Sequence, residues 1–299
     1  MSQIIGIYGG SCAHDACSVY MVDGKIKSII QEERPRRVKV YKDQYASPIL
    51  SLHRIEKEFD VKLKDVDWVC TASPMGIDSQ FLYPHSVPKE KLFIVNHHES
   101  HCTGAYYTSG FNEKTIVFSY DAGGLSKSKG YKTTFGHTYL AENNKMTLIN
   151  TFPMGYTASI PCMYAAVTRY LGWLVHKDEG KVTGLAGHGE YRDEIYKSFE
   201  TICWYDKSMK RFLPNGQSES ATGINQVLNS LIGDKIIDVE DEKSRADLAF
   251  NMQYFLENKV CEYLNHLNEL YPDYKKIALA GGVFANVKLN QRINELDWV

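Results

Sequence analysis

The feature that most constrains this chain is a pattern that occurs twice. Near the N-terminus Ile4-Ile5-Gly6-Ile7-Tyr8 runs into Gly9-Gly10-Ser11, and two further strand-like runs follow over 18–22 and 26–30. Between them lies Val22-Asp23-Gly24-Lys25. Its Asp-Gly pair suits a two-residue hairpin turn, where both central residues need positive φ. About 112 residues later the order begins again. An apolar run over 115–120 leads into Asp121-Ala122-Gly123-Gly124, and runs over 133–140 and 145–152 turn at Asn143-Asn144. A unit of strand, glycine turn and hairpin carried twice predicts two related lobes facing a cleft, with glycine turns from both pointing into it. Chance agreement between two common hairpins is the competing explanation, and the pattern alone does not separate the two.

The remaining periodicities fill in an α/β chain. A helix is expected over 47–58, where Ile49, Leu50, Leu52, Ile55 and Phe59 recur at helical spacing. Short buried strands are expected over 66–72 and 92–96, then a short helix between Asn96 and Gly110, ended by that glycine. Helices follow over 163–174, 190–202, 222–231 and 242–270. The last places Leu248, Met252, Phe255, Leu256, Val260 and Leu264 on one face. A strand over 276–280 then runs into Gly281-Gly282-Val283, with a helix-like segment to Leu296. The lobe boundary is expected at 112/113, giving lobes of 1–112 and 113–299.

Composition narrows the function classes. Hydrophobic residues make up 43% of the 299 and charged residues 23%, which excludes a disordered tail, a collagen-like repeat and a fibrous coil. Lys and Arg number 34 against 36 Asp and Glu, a formal charge of -2. That leaves no net positive field for duplex nucleic acid as the main partner, and the one basic run covers 34–39. Seven scattered cysteines, odd in number and without C-x-x-C, fit a reduced cytosolic protein. The first residues lack a signal peptide's basic n-region, and the apolar stretch 160–175 is interrupted by Thr168 and Arg169. The expectation is a cytoplasmic protein with no membrane span.

The most informative pentapeptide is His97-His98-Glu99-Ser100-His101. On a helix His97 and His101 share a face and can share a metal ion. H-x-x-x-H is by itself a weak signal, since most such pairs are surface histidines, and Glu99 does not complete H-E-x-x-H. His14-Asp15 follows the first glycine turn, where a cleft-lining loop belongs; a plain turn capped by Asp15 explains it equally well. In Asp121-Ala122-Gly123-Gly124 bare glycines let backbone N–H groups approach an oxyanion while the carboxylate holds a cation. The segment 179–189 packs four glycines and Lys181 into eleven residues and reads as a phosphate or nucleotide loop without being a Walker A sequence. Gly281-Gly282, between a strand and a helix, suits a phosphate or an adenosine. Each of these is also compatible with an ordinary tight turn.

Taken in order, these segments resemble the N-terminal half of the NodU/CmcH-type O-carbamoyltransferases. The pieces are Gly6-Ile7 with His14-Asp15-Ala16, Glu32-Glu33-Arg34 with Arg37-Val38-Lys39, the His97–His101 pentapeptide, and Ser119-Tyr120-Asp121-Ala122-Gly123-Gly124. Glu179-Gly180-Lys181 with Gly184-Leu185-Ala186 and Gly281-Gly282-Val283 with Asn286 complete the set, while Tyr164, Thr168, Gly172, Ala249, Gln253 and Glu257 fit the intervening helices. The resemblance runs over essentially the whole chain. One departure stands out: the family's usual Ala-Pro-Tyr-Gly reads Ala186-Gly187-His188-Gly189 here.

The resemblance implies a two-lobed actin/hexokinase/Hsp70-type nucleotide-binding fold, incomplete at its C-terminus, of which the duplicated hairpin unit is the sequence trace. It implies transfer of a carbamoyl group from ATP-derived carbamoyl-adenylate to a hydroxyl of a small-molecule acceptor. The adenylate would be made from ATP and carbamoyl phosphate by a YrdC-like domain that this sequence lacks, in cis or on a partner chain. His97, His101 and Asp121 would bind a divalent metal, Fe(II) by family expectation. His14, with Asp15, would act as general base or orient the acceptor. Gly123, Gly124, Lys181, Gly184, Gly281, Gly282 and Asn286 would contact the nucleotide, and His98 the substrate unless it is structural. A homodimer is the assembly left open. Three rivals share the fold: a tRNA threonylcarbamoyl-transfer enzyme, a sugar kinase, which needs no H-x-x-x-H, and a nucleotide-dependent binding module, which needs no His pair beside a carboxylate.

Overall fold

A computed structural model of the chain describes residues 1–9, 16–38, 47–72, 87–125, 133–155, 157–214 and 220–299. The chain divides into two compact units, Met1–Ser100 with Leu125–Lys127, and His101–Gly124 with Ser128–Val299. The division falls within the first turns of a continuous helix, upstream of the expected boundary at 112.

The first unit holds β1 (Gln3–Tyr8), β2 (Cys17–Val22), β3 (Lys25–Gln31), α1 (Glu33–Arg36), α2 (Ile49–Phe59), β4 (Trp68–Ala72) and β5 (Leu92–Val95). Its sheet has the order β3-β2-β1-β4-β5. β1 and β3 run antiparallel to β2, and β4 runs parallel to β1 and β5. Asp23 and Gly24 both have positive φ, 49° and 74°, as the expected tight hairpin requires. Helix α2 buries Leu52 and Ile55 with Ile5, Ile7, Tyr20, Val66 and Val69. Its start lacks a local side-chain cap. Glu32, almost fully buried, supplies one from a distance: its carboxylate accepts the N–H groups of Leu50 and Ser51 at 3.0 and 2.8 Å and pairs with Arg36 at 2.8 Å. A carboxylate at a helix N-terminus satisfies orphan donors and complements the dipole.

After the first unit the chain forms α3 (His97–Ser109), β6 (Thr115–Leu125), β7 (Thr133–Glu142), β8 (Lys145–Pro153), α4 (Ile160–Tyr170), α5 (Glu179–Ala186) and α6 (Asp193–Glu200). A two-stranded ribbon of β9 (Cys203–Asp206) and β10 (Arg211–Pro214) follows, then α7 (Ser220–Gly233), α8 (Glu242–Leu270), β11 (Lys276–Ala280) and α9 (Val287–Asn294). The four-stranded sheet has the order β11-β6-β7-β8, with β11 parallel to β6 and β7 antiparallel to β8. The duplication is therefore topological. In each unit a first strand has a hairpin on one side and a parallel strand on the other. Asn143 and Asn144 turn the second hairpin with φ of 51° and 59°.

Every apolar residue on the predicted face of α8 is buried, and Phe118, Tyr120, Phe152, Phe212 and Phe284 form a cluster of ring contacts with its Tyr263. Three expectations need correction. Residues 179–186 form a helix and not a loop, because Val182 and Ala186 bury themselves in the main core while Gly180 and Gly184 face solvent. Asp121-Ala122-Gly123-Gly124 continues β6 to Leu125 instead of ending it in a turn. The β9–β10 ribbon forms between the helices expected over 190–202 and 222–231, where no strand is expected. No disulfide joins the six described cysteines, and among the described residues no helix is long and apolar enough to cross a membrane.

Candidate metal and nucleotide site

Helix α3 presents two adjacent stripes. His98, Cys102 and Tyr106, spaced by four, are fully or almost fully buried. Cys102 and Tyr106 pack on Val117, Tyr139, Ala141 and Ala278 from β6, β7 and β11. His97 and His101, one position earlier, form the neighbouring stripe, which remains partly open. Packing of the first stripe fixes the second against β6. His101 Nε2 lies 3.3 Å from Asp121 Oδ2, and the ligand atoms of His97, His101 and Asp121 all lie within 4.8 Å of one another. Two ligands bound at about 2.0–2.1 Å to one first-row ion stand about 3.0–3.4 Å apart, the separation His101 and Asp121 already have, and two imidazoles with a carboxylate are donors that such an ion prefers. This is the one such group among the described residues.

Asp121 is held in place by its own backbone. Its Oδ1 accepts the Gly123 N–H at 2.7 Å, leaving Oδ2 directed at His101. That N–H, offered by the sequence to an oxyanion, is used within the segment. The glycine turn after β11 sits alongside. Gly281 has φ of 91°, and a Cβ there would come 2.6 Å from the Tyr120 carbonyl oxygen; a Cβ on Gly282 would lie 3.9 Å from the Asp121 Cβ. Only glycine allows β11 to turn this close to the end of β6. A 3₁₀ turn, Gly282–Ala285, leads to Asn286, whose side chain caps α9 by accepting the Leu289 N–H at 3.0 Å.

The other expected site residues are placed as follows. Lys181 and Gly184 lie on α5, where Lys181 pairs with Asp178 at 3.1 Å and stands 5.9 Å from the Trp173 ring. No glycine loop wraps a phosphate there. His98 is fully buried on the helix's inner stripe, its ring edge-on to His97 with centroids 5.0 Å apart. Arg36 of the basic run is spent on Glu32. His14, Asp15 and Lys39 lie outside the described residues.

The sequence analysis names Tyr164, Gln253 and Asn286 separately but not the polar cluster they form beside the turn. Tyr164, Thr183, Gln253 and Asn286 are hydrogen-bonded to one another. Burial pushes the Tyr164 hydroxyl up to about 12, so it stays a neutral donor at ordinary pH. The available signal was Gln253 itself, a polar residue one position from Met252 on a helix that buries nearly its whole circumference there.

The family model for the carbamoyltransferase N-terminus matches residues 82–297. The chain belongs to that family. It is 26% identical to the nodulation protein NolNO of Sinorhizobium fredii over 94% of this chain and 42% of that protein. An uncharacterised Methanocaldococcus jannaschii protein is 30% identical over 69% of this chain and 33% of its own length. The chain thus spans roughly a third to a half of the curated relatives it matches. Among solved structures, full-length HypF, in a phosphate- and nucleotide-bound form, aligns over 98% of this chain and 50% of its own with a TM-score of 0.52 and 13% identity. That likeness supports the actin/hexokinase-type nucleotide fold of this carbamoyltransferase N-terminal chain.

Proposed function

We propose that this chain is the carbamoyl-transfer part of an O-carbamoyltransferase, moving a carbamoyl group from carbamoyl-adenylate to a hydroxyl of a small-molecule acceptor. The observation that carries the reading is the approach of His97, His101 and Asp121 beside the Gly281-Gly282 turn, in a chain of the carbamoyltransferase N-terminus family. His97, His101 and Asp121 would hold a divalent first-row ion, Fe(II) in the family resemblance, whose chemistry there is Lewis-acid polarisation of the carbamoyl oxygen.

The chain's own groups divide the remaining work. Asp121, fixed by the Gly123 N–H, keeps one carboxylate oxygen turned to His101. The Gly281-Gly282 turn would take the nucleotide end of the donor. His14 would accept the proton of the acceptor hydroxyl, whose oxygen bonds to the carbamoyl carbon; the bond from that carbon to the AMP phosphate oxygen breaks, and AMP leaves with the electron pair. The donor itself would come from a YrdC-like activity elsewhere in the protein or on a partner.

The test has two arms. Metal analysis after loading with iron, zinc or manganese should give about one ion per chain for the parent and a loss of at least tenfold in His97→Ala and His101→Ala. Stoichiometric metal in both variants places the ion elsewhere. Labelled carbamoyl phosphate with ATP, this chain and an added YrdC-like activity should label a hydroxyl acceptor; labelled threonine reaching tRNA, with bicarbonate in place of carbamoyl phosphate, would instead move the chain to the threonylcarbamoyl branch.

A further inference from the structure

A primary amide can donate two hydrogen bonds and accept two. Asn286 uses all four. Its Oδ1 accepts from the Leu289 N–H and, at 3.1 Å, from Gln253 Nε2; its Nδ2 donates to Gln253 Oε1 at 2.8 Å and to Thr183 Oγ1 at 3.3 Å. Gln253 is equally saturated. Its Oε1 also accepts the Tyr164 hydroxyl at 3.0 Å, and its Nε2 also donates to Glu257 Oε1 at 2.7 Å. The two amides therefore meet head to head in a closed pair. Gln253 and Tyr164 are 5% and 6% exposed, so water does not compete freely for these bonds.

The pair ties together α4, α5, α8 and the turn that opens α9. On its other side that turn rests on β6 through the Gly281 contact with Tyr120, next to Asp121. Its position is thus set from two directions, by backbone on one side and by the amide pair on the other. An asparagine whose every donor and acceptor is committed has no capacity left for a nucleotide.

Resting on the nucleotide reading above, we infer that Gln253 and Asn286 are a positioning pair that holds the Gly281-Gly282 turn for the adenylate. The donor meets the turn's backbone, and the Asn286 side chain is not its ligand.

The variants Gln253→Met and Asn286→Asp test this. The first keeps volume and removes the amide; the second keeps an acceptor for Leu289 and removes both donors. AMP affinity of the full chain, measured by calorimetry, should fall about tenfold in each and no further in the double variant, because both remove one unit. Hydrogen exchange over 281–290 should quicken at least tenfold in Gln253→Met while 115–120 is unchanged. Tyr164→Phe should shift both readouts the same way by less, and serves if Gln253→Met does not fold. Parent-like AMP binding by Gln253→Met beside a loss in Asn286→Asp would make Asn286 a direct ligand and overturn the inference. So would losses that multiply in the double variant. If the parent itself does not bind AMP, the nucleotide reading fails; the exchange data then decide the pairing alone, and unchanged protection over 281–290 sinks it.

Discussion

At Gly189 the main chain runs so close to α8 that a Cβ would lie 2.0 Å from the Ala246 carbonyl oxygen and 2.8 Å from the Phe250 Cβ. The neighbouring Glu190 N–H donates to Asp247 at 2.9 Å and the Arg192 N–H to Asn251 at 3.1 Å, so the segment cannot back away cheaply. Gly189→Ala should therefore cost about 2–4 kcal/mol by urea unfolding, as overpacking against backbone does. A change below about 0.5 kcal/mol would mean the segment yields. Within Ala186-Gly187-His188-Gly189 this packing constrains only the last residue, which keeps the family's glycine. Gly189 meets the helix backbone, whereas His188 is exposed and its identity is unconstrained by packing. Single residues were legible where chemistry is local: the four-residue spacing of His97 and His101 needed only a helix. Glu32 was not, because it caps a helix that starts 17 residues later, and no local pattern records such a partner.

Among the elements, α8 and β11 match their sequence-expected bounds because each joins strong periodicity to clear ends. Helix α5 escaped because glycine content argues for a loop, and burial of Val182 and Ala186 overrides that propensity. The β9–β10 ribbon escaped because its strands have four residues each and its turn uses Lys210, at φ of 54°, in place of glycine. That ribbon is fastened to α8 by Tyr205, whose hydroxyl lies 2.7 Å from His266 Nδ1. Burial holds the His266 imidazole below its ordinary value. As pH falls the unfolded chain thus takes up the proton first. Stability from this group is full above about pH 6.5 and is lost as pH drops through the lower folded value. Melting temperature should accordingly fall between pH 7.5 and 5.5, and His266→Gln should flatten the slope. An unchanged slope would assign the acid sensitivity to other groups.

For the whole molecule, the two units carry separate buried clusters, one around Leu52 and Ile55, the other around α8. Leu52→Ala should cost about 2–5 kcal/mol, since a large buried side chain leaves a cavity. Hydrogen exchange should report the loss in β1 and β4 and leave β6 and α8 protected; equal loosening of all four would show one shared core. The duplication behind this arrangement was legible as an order of strands and turns, but not as homology, since two hairpins look alike in any sequence. What the structure adds is the parallel strand beside each first strand, a pairing between residues far apart in the chain that makes the two units topologically alike. One consequence lies at the two hairpin tips. Lys25 and Lys145 each open the second arm of their hairpin, both exposed, at matching places in the repeat. Exposed hairpin tips tolerate change. A donor dye at one and an acceptor at the other would make the repeat a built-in ruler, and energy transfer between them would report in real time any rearrangement that a ligand sets off.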